Sequence, residues 1–169
     1  MKEYWDIVDA EGKPTGRTIK RGAPMQPGEY HLSVSIWIVN AKGEFLISKR
    51  VPDKVTAPDM WETTGGSAIS GEDGLTAALR EVNEELGIRL DPARGSIFSE
   101  YTWPHSSGDG AAYIVVWLFR QEVGLADIVL QQEETCDVKW ASKDELRALI
   151  QDGSFIPYTY IEDLFRAAE

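Results

Sequence analysis

The stretch from Gly65 to Ile88 constrains this chain more than any other, because it sets clustered acids on a helix that must also bury an apolar face. From Leu75 to Leu86 the residues Leu75, Ala78, Leu79, Val82 and Leu86 recur at helical spacing. At about 100° per residue they share one side, which is expected to be buried. Glu81, Glu84 and Glu85 fall within roughly a 100° arc beside that stripe, at spacings that bring side chains together. Like charges at the margin of a core are costly, so something positive must compensate. Two readings are open. The acids form a solvated face with Arg80 as the i,i+4 partner of Glu84, or they bind a hard divalent cation, which takes oxygen ligands and, if it is Mg²⁺, keeps positions for water and phosphate. The flank favours the second. Gly65, Gly66, Gly71 and Gly74 around Ser67 to Ser70 predict a loop whose backbone comes close to a ligand, and Asp73 is placed to cap the helix.

The pattern of Gly66, then Glu72, then Arg80-Glu81-Val82-Asn83-Glu84-Glu85-Leu86-Gly87-Ile88 resembles the Nudix box of the Nudix hydrolase superfamily, with every defining position filled. The resemblance implies an α/β/α sandwich around a central mixed β-sheet. It also implies cleavage of diphosphates linked to a further group X, with Mg²⁺ or Mn²⁺ as cofactor. By the same resemblance Glu84 and Glu85 are the main metal ligands, Glu81 a further ligand or a base, and the carbonyl of Gly65 another ligand. Arg80 orients the glutamates and Glu72 supports them.

At 169 residues the chain is the size of one domain, so 1–169 is read as a single unit. It has 17 basic against 28 acidic residues, a formal charge of −11, which argues against binding polymeric nucleic acid because no basic stripe is present. A small phosphate ester is different, since a bound divalent cation inverts the local field. No segment approaches a membrane span and Met1 to Gly16 has no signal-like apolar core, so the expected address is cytoplasmic, without membrane partners. Cys136 is alone, which fits a reducing compartment, and His31 and His105 are too few for a zinc cluster.

Along the chain, Trp5 to Asp9 and Arg17 to Lys20 read as short strands around a turn at Ala10 to Gly16, and Arg21 to Glu29 as a loop. His31 to Asn40 is the most strand-like run, and Ala41-Lys42-Gly43 turns it into Glu44 to Lys49; these two are expected at the centre of the sheet. Trp61 to Thr64, Ile97 to Trp103, Ala111 to Arg120 and Asp137 to Trp140 are further strands, with a loop at Pro104 to Gly110. Gly87 suits a left-handed helix stop. Ser142 with Glu145 predicts a capping box for a helix to Ile150, and Tyr160 to Ala168 a last helix. Strands joined mostly by hairpins, with few helices, favour a mixed sheet over a doubly wound parallel one.

Outside the box, Glu133 and Glu134 read first as a solvated turn. Many similar enzymes, however, place a glutamate about six residues before an aromatic here to bind metal or take a proton from water, and Glu134 has that spacing to Trp140. Lys49 and Arg50 end a strand expected to point toward the site, where cations hold phosphate. Trp61, Phe98, Tyr101 and Trp103 offer a stacking surface, although aromatics at strand spacing are more often core. The N-terminal half, including Gly12-Lys13-Pro14-Thr15-Gly16, His31-Leu32 and Trp37 through Gly43, is similar to isopentenyl-diphosphate isomerases, which share the fold. That resemblance fails at the site. Gly65 stands where the isomerase has its catalytic cysteine, Ser67 replaces a metal histidine, Ala111 to Val115 lacks the acidic pair, and Cys136 lies far downstream. His31 alone falls on a histidine position, and reads more readily as a satisfied strand residue. The expected activity is therefore a Nudix hydrolase acting on a nucleoside di- or triphosphate or nucleotide sugar. The alternatives are the isomerase and a nucleotide-sensing protein that keeps the fold without catalysis. Dimers are common among similar proteins, which leaves a homodimer open; the residues do not encode it.

Overall fold

The β-branched run at Val34 to Val39 becomes the strand on which the sheet is assembled. In the computed structural model, which describes residues 3–104 and 111–169, it is β3, Tyr30–Val39. One edge of β3 pairs in parallel with β8, Ala112–Arg120, from His31↔Ala112 to Val39↔Arg120. Its other edge is shared in succession by three antiparallel partners. These are β1 (Tyr4–Val8) at Tyr30 and His31, β6 (Thr64–Ser67) at Ser33 to Ile36, and β4 (Phe45–Arg50) at Val39 alone. β3 and β4 therefore part after Val39↔Phe45, and the split is filled by β6 on β3 and by the two-residue β5 (Trp61–Glu62) on β4. β2 (Pro14–Lys20) pairs with β1, β7 (Gly95–Trp103) with β8, and β9 (Thr135–Ala141) with β4. The parallel pairing of β3 with β8, beside antiparallel pairings between the other strands, makes the sheet mixed, as the hairpin-rich order of elements predicts.

The helices cover both faces. Alternation along β3 sends Val34, Ile36 and Ile38 into a core with Ala77, Ala78, Val82 and Leu86 of α1 (Gly74–Leu86). Trp37 and Val39 face a second core with Leu146 of α2 (Lys143–Gln151) and Leu164 and Phe165 of α3 (Ile161–Ala167). The result is an α/β/α sandwich. The helix ends follow the sequence signals: Asp73 accepts from Thr76 N–H, Gly87 takes φ 68°, and Ser142 and Glu145 form both bonds of the capping box. Leu75 and Leu79, expected within the buried stripe, sit at its margin, and Ala77 takes a fully buried place.

Two expectations change. Gly65 and Gly66 are not in a loop but in β6, where close approach, not flexibility, calls for glycine: a Cβ on Gly65 would lie 2.6 Å from the Val34 carbonyl oxygen. The turn after β1 is shorter than Ala10 to Gly16, because Pro14 already pairs with Val8. The loop at Pro104 to Gly110, with His105, falls almost wholly outside the described residues. Among those described, no helix is long and apolar enough to cross a membrane.

Candidate active site

α1 runs beside β6, so the acids of the helix face the glycine strand across one cavity of about 620 Å³. Its walls carry Glu81, Glu84, Glu85 and Glu134 together with Arg21, Arg50 and Lys54. Arg80 organises the acids. Its Nε and Nη2 donate to the two oxygens of Glu72 at 2.7 and 2.9 Å, its Nη1 to Glu81 and Glu84 at 3.0 Å each, and its Nη2 also to the Ser67 carbonyl at 3.0 Å. All the guanidinium donors are thereby used. Burial alone would raise the Glu72 carboxyl, but the Arg80 bonds and the Ile69 N–H together hold it below its ordinary value. Glu72 thus fixes Arg80, and Arg80 fixes two of the acids.

Glu85 is left out of that arrangement. Among the described residues it has no ion pair within 4 Å. Burial, then the nearby charges of Glu81 and Glu62, push its carboxyl up from 4.5 to about 8. Glu81 is also raised, by burial first, against the pull of Arg80. Such a site holds more negative charge than its fixed cations neutralise.

The other candidates divide. Glu134 lines the same cavity and pairs with Lys54, whereas Glu133 is exposed. Arg50 reaches the cavity while pairing with Glu62 at 2.8 Å. Lys49 does not: the neighbouring strand position points to the other face, where its ammonium meets Asp59 at 2.8 Å. Phe98 and Tyr101 pack on Tyr160, Trp61 lies under Lys139, and Tyr101 and Trp103 line a further cavity. His31 is buried, stacked on Trp5 with ring centres 4.0 Å apart and within 3.2 Å of the Ser33 hydroxyl. Sequence reasoning missed Lys54, Arg21 and Glu62. Lys54 and Arg21 sit in polar loop sequence with no motif around them, and Glu62 is one polar residue in a strand of two.

The donor set suits a hard cation, being all oxygen, with no thiol or imidazole among the cavity-lining groups. Among the described residues no group of three or more His, Cys, Asp or Glu is already gathered to hold an ion, so the acids line a shared space without forming a finished cage. Gly66 is what lets them approach the strand: a Cβ there would lie 2.2 Å from Glu81 Oε1. Gly66→Ala should therefore displace the carboxylate, cutting turnover about tenfold or more with little change in melting temperature. Gly65→Ala, which meets backbone, should lower the melting temperature itself; initial rates and thermal melts of the two variants check both.

A mixed-sheet sandwich that offers Arg80-Glu81 and Glu84-Glu85 of one helix to a polar cavity defines a Nudix-type protein. The NUDIX domain model matches residues 29–164. An uncharacterized Nudix hydrolase of Listeria monocytogenes is 39% identical over 164 residues, covering 96% of this chain and 94% of the relative. The chain belongs to the Nudix hydrolase family. The isopentenyl-diphosphate Delta-isomerase of Escherichia coli O127:H6 is 25% identical over 159 residues, 94% of this chain and 85% of that one. In fold this chain is similar to a bifunctional NMN adenylyltransferase/ADP ribose pyrophosphatase of Francisella tularensis complexed with AMP and a Mn ion. That similarity has a TM-score of 0.66 at 23% identity and covers 87% of this chain and 44% of the other.

Proposed function

We propose that the protein hydrolyses a diphosphate bond in a small nucleoside diphosphate derivative, a nucleoside di- or triphosphate or a nucleotide sugar, with Mg²⁺ or Mn²⁺. The observation that carries this reading is one cavity in which Glu81, Glu84, Glu85 and Glu134 oppose Arg21, Arg50 and Lys54. Glu81, Glu84 and Glu85, with the Gly65 carbonyl, would hold the ion. When bound, it supplies Lewis acidity at the phosphoryl oxygens and a lowered pKa for water. Arg50, Lys54 and Arg21 bind the remaining phosphate charge, while Lys49 has no part in it. Glu81 or Glu134 accepts the proton of the attacking water. Arg80 keeps Glu81 and Glu84 oriented throughout.

The isomerase reading lacks its groups: Gly65, Ser67, Ala112 and Ile114 line the cavity beside His31, and Cys136 is exposed on β9. A screen of nucleoside phosphates, nucleotide sugars, dinucleotide polyphosphates and isoprenoid diphosphates with Mg²⁺, with products identified, tests the proposal. Cleavage at a phosphorus-oxygen link of a nucleotide is expected. Tight metal-dependent binding without cleavage would replace hydrolysis by sensing, and conversion of isopentenyl diphosphate without phosphate release would restore the isomerase.

A further inference from the structure

The acid-lined cavity does not end at the glutamates. Gly65, Gly66 and Ser67 also line a second space of about 260 Å³, and Ser35, Glu62, Ile114 and Tyr158 continue it into a third of about 500 Å³. Glu62 is common to the second and third, at the split between β3 and β4. Its bonding is one-sided. Arg50 donates to Oε1 at 2.8 Å, and among the described residues Oε2 has no partner. Glu72, by contrast, presents both of its oxygens to the Arg80 guanidinium. Glu62 lines the space walled by Tyr101, Trp103 and Tyr158, with its side chain only 20% exposed. Burial raises its carboxyl, so holding the charge there opposes folding.

We infer that Glu62 reads the group attached to the diphosphate, its free oxygen accepting a hydrogen bond from a hydroxyl or N–H of that group. This rests on the hydrolase reading for the placing of the diphosphate, and it adds which residue selects the substrate and what it selects. A sugar or nucleoside supplies the donor and lays a ring against Tyr101, Trp103 and Tyr158. An isoprenoid fills the same space but leaves a half-buried carboxylate oxygen dry and unpaired. A site built to receive a donor rejects the analogue without one, and here, with a charged acceptor, by about 10- to 100-fold.

The test uses two non-hydrolysable probes that share a diphosphate mimic, α,β-methylene-ADP and the methylene diphosphonate of isopentenol. Their affinities are measured by calorimetry in Mg²⁺ for the wild-type chain, Glu62→Gln and Glu62→Leu. The wild type should favour the nucleotide probe by about 10- to 100-fold. Glu62→Gln, whose amide oxygen still accepts, should keep that preference to within about threefold. Glu62→Leu should erase it by weakening the nucleotide probe while the isopentenyl probe binds as well or better. Equal affinities in the wild type, a reading that needs no variant and is immune to misfolding, would overturn the inference, as would a preference that survives in a folded Glu62→Leu. Hydrolysis of a panel of nucleoside di- and triphosphates and nucleotide sugars is followed in parallel. The expected preference without any cleavage sinks the hydrolase reading and leaves this one; cleavage without preference does the reverse; binding of neither probe removes the inference.

Discussion

Glu85→Gln should lower Mg²⁺-dependent turnover by about 10²- to 10³-fold, the scale of losing one preorganised charge at a developing transition state. It should do so without unfolding the chain. The two effects have one origin. Glu85 is the acid that Arg80 does not reach, so its charge is the least compensated in the cavity and the most in need of a cation from outside. An isosteric amide keeps the packing on α1 and removes the charge, so the metal-free variant should melt at or above the wild type. Glu84→Gln should match the kinetic loss but not the gain in stability, because the Glu84 side chain is 52% exposed and already bonded to Arg80. Initial rates at saturating Mg²⁺, with thermal melts in EDTA, measure both. Near-normal rates for Glu85→Gln would remove it from the metal set, and a collapsed melt would make it structural.

The helix that carries this prediction was legible because its signals are local. Asp73, the apolar spacing and Gly87 fix where α1 begins, which way it faces and where it stops, all within a few turns. The glycines were misjudged because their reason is remote: Gly65 meets Val34 and Gly66 meets Glu81, contacts that only the pairing of β6 with β3 creates. Lys49 and Arg50 show the same limit on a smaller scale. Both end β4, but strand parity decides which side chain shares the cavity, and Lys49 follows Phe45 and Ile47 toward the α2 and α3 face. Parity is readable once the core is assigned, and the apolar residues of β4 do not assign it, since both faces of the strand are buried. Glu62 left no local trace, because its burial depends on where β3 and β4 part.

In EDTA, the stability of the wild type should fall as pH rises from about 5 to 8.5, and Mg²⁺ should restore it at the upper end. The sign follows from Glu85, whose folded-state carboxyl titrates near 8 against an ordinary 4.5. Below the lower value both folded and unfolded chains hold the proton and its contribution is fully present. Above it the unfolded chain ionises first, so stability is lost until the folded carboxyl ionises as well. For a group this buried the loss amounts to roughly a few kcal/mol. Glu72 and Asp6 act oppositely, being held low by their bonding, so their contribution is present above the ordinary carboxylate range and lost as pH falls toward acid. The metal-free optimum should therefore lie near pH 5. A divalent ion binds the ionised acids and releases the proton, so the rise in melting temperature it causes should be larger at pH 8 than at pH 6. Melts across this range with and without Mg²⁺, for wild type and Glu85→Gln, separate the contributions: the variant's EDTA profile should be the flatter. Matching profiles would mean that Glu85 ionises without strain, and the claim that the cavity waits for an external cation would fall with it.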